Sequence, residues 1–233
     1  MKKLSIILGV VLFAAVNLLS CKDDSGVYVE QLHTNSQKEK AIKDCLKASA
    51  DTALNHLCAP EGFYNYGEGV YRINYASLQN SLFDTLSHHG YGYLADSLIL
   101  FSNRLAESCK SQLAPLFTSA IDTLVIYDCD ALINGESDAI TKYFETYKYR
   151  YLKSSFQTPV SIRMNLYNVT PVWNDMVQKY AQYTAVPLNF DIQNYIVEKM
   201  LDGLLQEMCL EEALVRIDSA HRSESMEILG GGL

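Results

Sequence analysis

Charged residues set inside apolar helical stripes are the ones in this chain whose types and spacing invite chemistry. Asn103 and Glu107 stand four apart and Arg104 and Glu107 three apart, so all three share one side of a helix turn. Glu198, Lys199 and Asp202 repeat the pattern near the far end of the chain. A buried charge without a partner is very costly, so each cluster must pair across helices or line a pocket. The preferred reading is structural: Arg104 bridges to Asp202 or Glu198 and ties two helices together. The other reading is a ligand pocket in which Thr141, Tyr64, Tyr66 and Tyr143 join Asn103, Arg104, Glu107, Glu198, Lys199 and Asp202. Helix-orienting ion pairs leave the same signature as a pocket, which is why the structural reading comes first.

Other chemistries have less support. There is no G-x-S-x-G, H-E-x-x-H or P-loop, so no catalytic residue is assigned and the chain is read as a non-enzyme. No C-x-x-C occurs, no cysteine sits near a histidine at ligand spacing, and His33, His56 and His221 are scattered. His88 and His89 are adjacent, and neighbours on a helix point in different directions. No metal and no cofactor is expected. The carboxylate pairs at 23–24 and 211–212 read as solvated surface. The run YFETYKYRYLK over residues 143–153 interleaves aromatics with Lys148, Arg150 and Lys153, a pattern able to stack bases or to lie at a lipid headgroup surface. The preferred reading is a half-buried stripe of Tyr143, Tyr147 and Tyr151 with their tips in water. The net charge of -8 supports that choice and argues against a nucleic-acid partner, which requires a basic face.

One thiol has a clearer assignment. The first twenty-one residues, MKKLSIILGVVLFAAVNLLSC, combine Lys2 and Lys3 with a mostly apolar run from Leu4 to Leu19. That run is too short and too interrupted for a spanning helix, which needs roughly 20 apolar residues, and it fits the central part of a secretory signal. Leu18-Leu19-Ser20-Cys21 resembles the lipobox of bacterial lipoproteins, in which the cysteine thiol takes a diacylglyceryl group and a peptidase cuts before it. Two or three fatty chains, palmitate among them, hold a protein stably to a bilayer. Residues 1–20 are therefore read as a lipoprotein signal peptide and 21–34 as an acylated linker. Lys22 stands where an inner-membrane retention signal would have Asp, so the outer membrane is the expected address, with the body periplasmic or surface-exposed. Lys22-Asp23-Asp24 is also similar to the short acidic export signals of some surface lipoproteins.

Beyond the linker the apolar spacing is helical almost throughout. Ser36-Gln37-Lys38-Glu39 matches a capping box. It opens a helix carrying Ile42, Cys45, Leu46, Ala50, Ala53, Leu54 and Leu57 on one stripe and stopping near Pro60. Residues 59–75 read as an irregular, Gly- and Tyr-rich connection. Further helices are predicted over about 77–89 with Gly90 as the stop, 93–110, and 113–125 with Pro115 in the first turn. A short segment over 129–134 follows, and then a helix from about Ser137 that Thr158-Pro159 breaks. Thr170-Pro171 starts another, with Trp173, Met176, Val177 and Tyr180 on one side. Asp191 caps the last long helix, whose inward residues are Ile192, Tyr195, Ile196, Met200, Leu204 and Met208. No strand pattern appears. The reading is an all-α, single-domain bundle of about eight helices over residues 35–229, with a flexible tail at 230–233. Five cysteines lie in the body: Cys45, Cys58, Cys109, Cys129 and Cys209. Their odd number leaves at least one thiol unpaired. Cys45, Cys109 and Cys209 fall on apolar helix faces, and sequence does not choose any pairing.

Four segments, in order, carry a resemblance. They are Gly62-Phe63-Tyr64-Asn65; Ser102-Asn103-Arg104-Leu105-Ala106-Glu107; Leu132-Ile133-Asn134-Gly135 continuing to Asp138-Ala139-Ile140-Thr141-Lys142-Tyr143-Phe144; and Asp191 with Tyr195 followed by Glu198-Lys199-Met200-Leu201-Asp202-Gly203-Leu204. Across about 41–229 the chain resembles an exported bacterial family catalogued only as domain of unknown function 4197. It departs from the family pattern where Glu136-Ser137 stands in place of Gly and Asp, and where Arg72-Ile73-Asn74-Tyr75 replaces a proline-bearing approach to the second helix. The resemblance implies an all-helical fold and export, and it implies no activity. The functional expectation is a lipid-anchored cell-envelope lipoprotein acting as a non-enzymatic binding or scaffolding module, with the membrane as a partner through Cys21. The alternative is a small-molecule binder with a cavity between the third, fifth and last long helices.

Overall fold

Thr34 caps the first helix, two residues before the predicted cap. Its side-chain oxygen accepts from Gln37 N at 3.3 Å, and its own amide donates to Gln37 Oε1 at 2.8 Å. The box chemistry is the one expected, but Thr34/Gln37 supplies it, and Ser36 and Glu39 fall inside the helix. The computed structural model describes residues 33–230. The leader 1–20, Cys21, most of the linker and residues 231–233 of the tail lie outside the described residues.

The described residues form nine α-helices: α1 (Asn35–Leu57), α2 (Gly62–Gly69), α3 (Asp84–His88), α4 (Tyr93–Glu107), α5 (Lys110–Asp122), α6 (Cys129–Ile133), α7 (Ala139–Leu166), α8 (Val169–Tyr180) and α9 (Ile192–Ile217). Short 3₁₀ turns at Ser219–His221 and Glu224–Leu229 close the chain, and no strand occurs among the described residues. These residues form one compact all-α unit. Its centre is α1, α5, α7 and α9. α1 turns Ala41, Ile42, Cys45, Leu46, Ser49, Ala50, Ala53, Leu54 and Leu57 inward, a face small enough for α9 to approach closely.

Several predicted boundaries move. The single helix expected over 77–89 is a 3₁₀ turn, a π turn over Gln79–Phe83 and α3, with Leu78, Leu82 and Leu86 all buried as predicted. Gly90 stops it at φ 84, where the amide of Tyr91 reaches back to Leu86 O at 2.8 Å. α5 begins at Lys110, so Pro115 lies past its first turn. The position is exposed, and the carbonyl it frees belongs to exposed Ser111. α7 runs unbroken through Pro159. Phe156, Val160 and Met164 are buried around that proline. Burial of three such side chains, roughly 1.5–3 kcal/mol each, outweighs a cost of about 3 kcal/mol for an interior proline. α8 starts from Asn168 in the left-handed region, which places Pro171 third and not first in the helix. Asp191 caps α9 as predicted, accepting from Asn194 N at 2.9 Å.

Candidate functional site

The densest polar structure surrounds α2, a helix the sequence pattern did not reveal. Gly62 is required at its start, because a Cβ there would lie 2.3 Å from the carbonyl oxygen of Leu57. Phe63 then fills the core completely. On one flank the Tyr64 amide donates to Glu107 Oε1 at 3.2 Å, and Arg104 Nη1 donates to Glu107 Oε2 at 2.7 Å. The second nitrogen of Arg104 pairs with Glu61, which itself has a left-handed backbone. Arg72 donates from Nε to Tyr64 O at 2.7 Å, with its guanidinium 4.4 Å from the ring centroid of Tyr64; Arg104 lies 5.3 Å from the same ring.

Asn103 holds the chain that leaves α2. Its Oδ1 accepts from Ile73 N at 2.9 Å and its Nδ2 donates to Ile73 O at 3.0 Å and Ile99 O at 2.7 Å. A fully buried amide thus reads one residue of backbone as a neighbouring strand would. Tyr71, Ile73 and Tyr75 alternate inward on this stretch, and Tyr75 meets Ser102 Oγ at 2.6 Å.

The opposite flank of α2 closes on Glu207 of α9. Tyr71 OH donates to Glu207 Oε2 at 2.5 Å and Tyr66 OH to Oε1 at 3.2 Å, while His56 Nδ1 lies 2.7 Å from Oε1. Burial first, then the carboxylate beside them, raises the pKa of both tyrosines, so they remain protonated donors. Tyr66 is exposed and His56 half-buried at the rim, and Glu207 is buried behind them.

A third network sits one turn further along α9. Glu212 is fully buried and accepts from Ile140 N at 3.0 Å and Thr141 N at 2.7 Å, in the first turn of α7. Arg216 donates to Glu212 Oε1 from Nε and Nη2 and to the carbonyls of Ile133 and Leu132 at the end of α6. The expectation that residues 211–212 form a solvated pair is therefore wrong: both are buried. The α7 amides and Arg216 supply the partners that make burial of Glu212 tolerable, and His221 Nδ1 lies 3.0 Å from Glu211 Oε1.

The residues proposed for one polar network or pocket thus fall into three. Asn103, Arg104 and Glu107 serve α2. Thr141 gives its amide to Glu212, while its buried hydroxyl has no partner. Glu198 pairs with Lys153 at 2.5 Å and accepts from Asn194 Nδ2 at 3.1 Å; Asp202 accepts from Tyr149 OH at 2.9 Å and has Lys199 at 3.8 Å. The predicted bridge from Arg104 to Asp202 or Glu198 is not formed, because α4 packs its charged side on α2 while those acids face α7. Tyr143 joins none of these sets and donates to Val125 O at 2.9 Å. The tyrosine stripe is also revised: Tyr147 and Tyr151 are exposed, and the buried face of α7 is Ile140, Phe144, Leu152, Phe156, Val160 and Met164. Glu207, His56, Tyr71, Arg72 and Arg216 were missed. The one usable signal was the i, i+4 spacing of Glu212 and Arg216 within an apolar run.

An open hollow of about 600 Å³ lies away from all three networks, between the first turns of α1 and the 3₁₀ turn Glu224–Leu229, lined by His33, Gln37, Lys40, Asp44, Ser225 and Ile228 among others. Among the described residues no three of His, Cys, Asp and Glu gather as a metal centre would need. All five described cysteines are free.

A family model described as a protein of unknown function (DUF4197) matches residues 32–228. The chain belongs to that family. In this DUF4197 protein, two of the segments that carry the sequence resemblance, Gly62–Asn65 and Ser102–Glu107, meet through Tyr64, Arg104 and Glu107. No curated protein and no solved structure matches the chain.

Proposed function

We propose that this DUF4197 protein is a lipid-anchored envelope protein, outer-membrane in address, whose helical body is a non-enzymatic binding or scaffolding module. The observation that carries the reading of the body is the use made of its buried carboxylates. Glu107, Glu207 and Glu212 each hold backbone amides, arginines or tyrosine hydroxyls of the fold itself. All three are buried, and none lines the hollow beside α1. The anchor rests on Lys2, Lys3, the apolar run and Leu18-Leu19-Ser20-Cys21. No helix among the described residues is long and apolar enough to cross a membrane.

The test is mass spectrometry of the mature chain extracted from envelope, joined to affinity capture through a carboxyl-terminal tag. The reading requires an amino-terminal Cys21 carrying fatty chains and a co-purifying envelope component. An unacylated amino terminus, or a chain retaining its leader, overturns the anchor. A small-ligand reading has the hollow beside α1 in its favour, and thermal-shift screening of Lys40→Ala against the native chain separates it from scaffolding.

A further inference from the structure

Tyr127 and Tyr147 form the centre of an exposed aromatic patch that neither the buried networks nor the core uses. Val125, Tyr127, Tyr147 and Tyr151 are 61%, 75%, 53% and 44% exposed. The rings of Tyr127 and Tyr147 lie 6.2 Å apart, and those of Tyr143 and Tyr147 4.6 Å apart. The patch is held in place from below. Tyr143 OH donates to Val125 O and accepts from Tyr127 N at 3.3 Å, and Lys148 Nζ donates to Thr123 O at 3.0 Å. Contiguous exposed apolar and aromatic surface on a soluble body marks an interaction site.

Three facts choose its occupant. First, the patch adjoins the end of the bundle where the chain arrives: Lys38 and Lys43, in the first turns of α1, reach Asp130 at 2.6 Å and Asp122 O at 3.3 Å, on either side of Tyr127 in sequence. Second, the thirteen Cα-to-Cα steps from Cys21 to Thr34 span at most about 45 Å fully extended. Third, two of the acids beside the patch are matched, Asp130 by Lys38 and Asp122 by Lys47 at 2.7 Å, and Asp128 is engaged as the cap of α6 through Ala131 N. Tyrosine, with an apolar ring and a polar tip, is the residue type that partitions to the headgroup level of a bilayer.

We infer that Val125, Tyr127, Tyr147 and Tyr151 rest in the headgroup region of the membrane that carries the acyl chains on Cys21. The inference depends on the proposed lipid anchor. Contact by the patch fixes the orientation of the body on the bilayer.

The test uses the full acylated chain in vesicles of phosphatidylethanolamine and phosphatidylglycerol, with part of the lipid replaced by phosphatidylcholine brominated near the top of the acyl chain. Tyr127→Trp, Tyr147→Trp and, as the comparison, exposed Tyr93→Trp are each made in a Trp173→Phe background, so that one indole reports. Intact mass establishes acylation, and circular dichroism establishes the fold. The expected result is marked loss of emission for Tyr127→Trp and Tyr147→Trp and little for Tyr93→Trp. Acylated, folded chains quenched equally at all three positions, or at none, overturn the patch while leaving the anchor intact. Absence of the acyl mass overturns the anchor and this inference together.

Discussion

Glu212 and Arg216, one turn apart on α9, hold the facing ends of two other helices: the carboxylate takes the second and third amides of α7, and the guanidinium takes the last carbonyls of α6. Asp138, the residue at the cap position of α7, makes no side-chain cap bond, so α9 supplies that cap from a distance of more than seventy residues. Glu212→Ala leaves Arg216 buried and unmatched, and Arg216→Met does the same to Glu212. Each is expected to cost about 3–5 kcal/mol, the scale for breaking a buried pair by removing one partner. The double variant Glu212→Leu/Arg216→Met should cost much less than the sum of the two. Chemical denaturation of the four chains measures this, and additive effects would refute the coupling.

Arg104 is placed by α2, not by α9. Arg104→Ala is expected to lower stability by about 1 kcal/mol, since the side chain is roughly a third exposed and loses Glu61, Glu107 and the Tyr64 ring together. A double-mutant cycle with Glu107→Gln should show coupling, and one with Asp202→Asn should show none. Coupling to Asp202 would restore the helix bridge that sequence spacing suggested.

How much was legible follows from which signals are local. Helical periodicity placed the buried faces of α1, α4 and α9, and Gly90 and Asp191 announced their own roles, because stripes and caps are properties of a few consecutive residues. The charges at 103–107 and 198–202 were recognised as needing partners, but the partners depend on crossing geometry, and both went to nearer helices. α2 escaped notice since its helical backbone is interrupted over residues 66–68, and what remains is stabilised by Phe63 in the core and by Glu107 and Glu207 from other helices, not by its own propensity. Glu211 and Glu212 looked solvated for the same reason: an adjacent pair of acids shows nothing of the His221 ring that meets the first or of the amides and guanidinium that meet the second. Pro159 looked like a break because the cost of proline is local, whereas the burial of Phe156 and Val160 that offsets it is tertiary.

Thiol chemistry offers a direct probe of packing. Burial pushes the Cys45 and Cys58 thiols up to about 12 and those of Cys109 and Cys209 to about 11. Thiolate is the reactive form, so at pH 8 these side chains are nearly inert in the folded state. Peptide mapping after brief maleimide treatment should find Cys45, Cys58 and Cys109 unmodified in native protein and fully modified in denaturant. Rapid native labelling of Cys45 would mean that α1 does not pack on α9 as described.

Acid sensitivity has an identifiable contributor at the α7–α9 contact. The hydrogen bond from Lys153 is the largest cause holding the Glu198 carboxyl below its ordinary 4.5; burial opposes it and the Asn194 amide assists. A carboxyl whose pKa is depressed on folding adds stability above its unfolded pKa and loses it as pH falls through the folded value. Melting temperature should therefore decline below about pH 4.5 partly through this pair. Lys153→Met should return the titration of Glu198, followed by carbon-detected NMR, toward the ordinary carboxylate range and flatten that part of the pH profile. Both partners are about a third exposed, so the loss at neutral pH should stay within about 1 kcal/mol. A Glu198 that already titrates at the ordinary value in the native chain would show that the pair does not persist in solution.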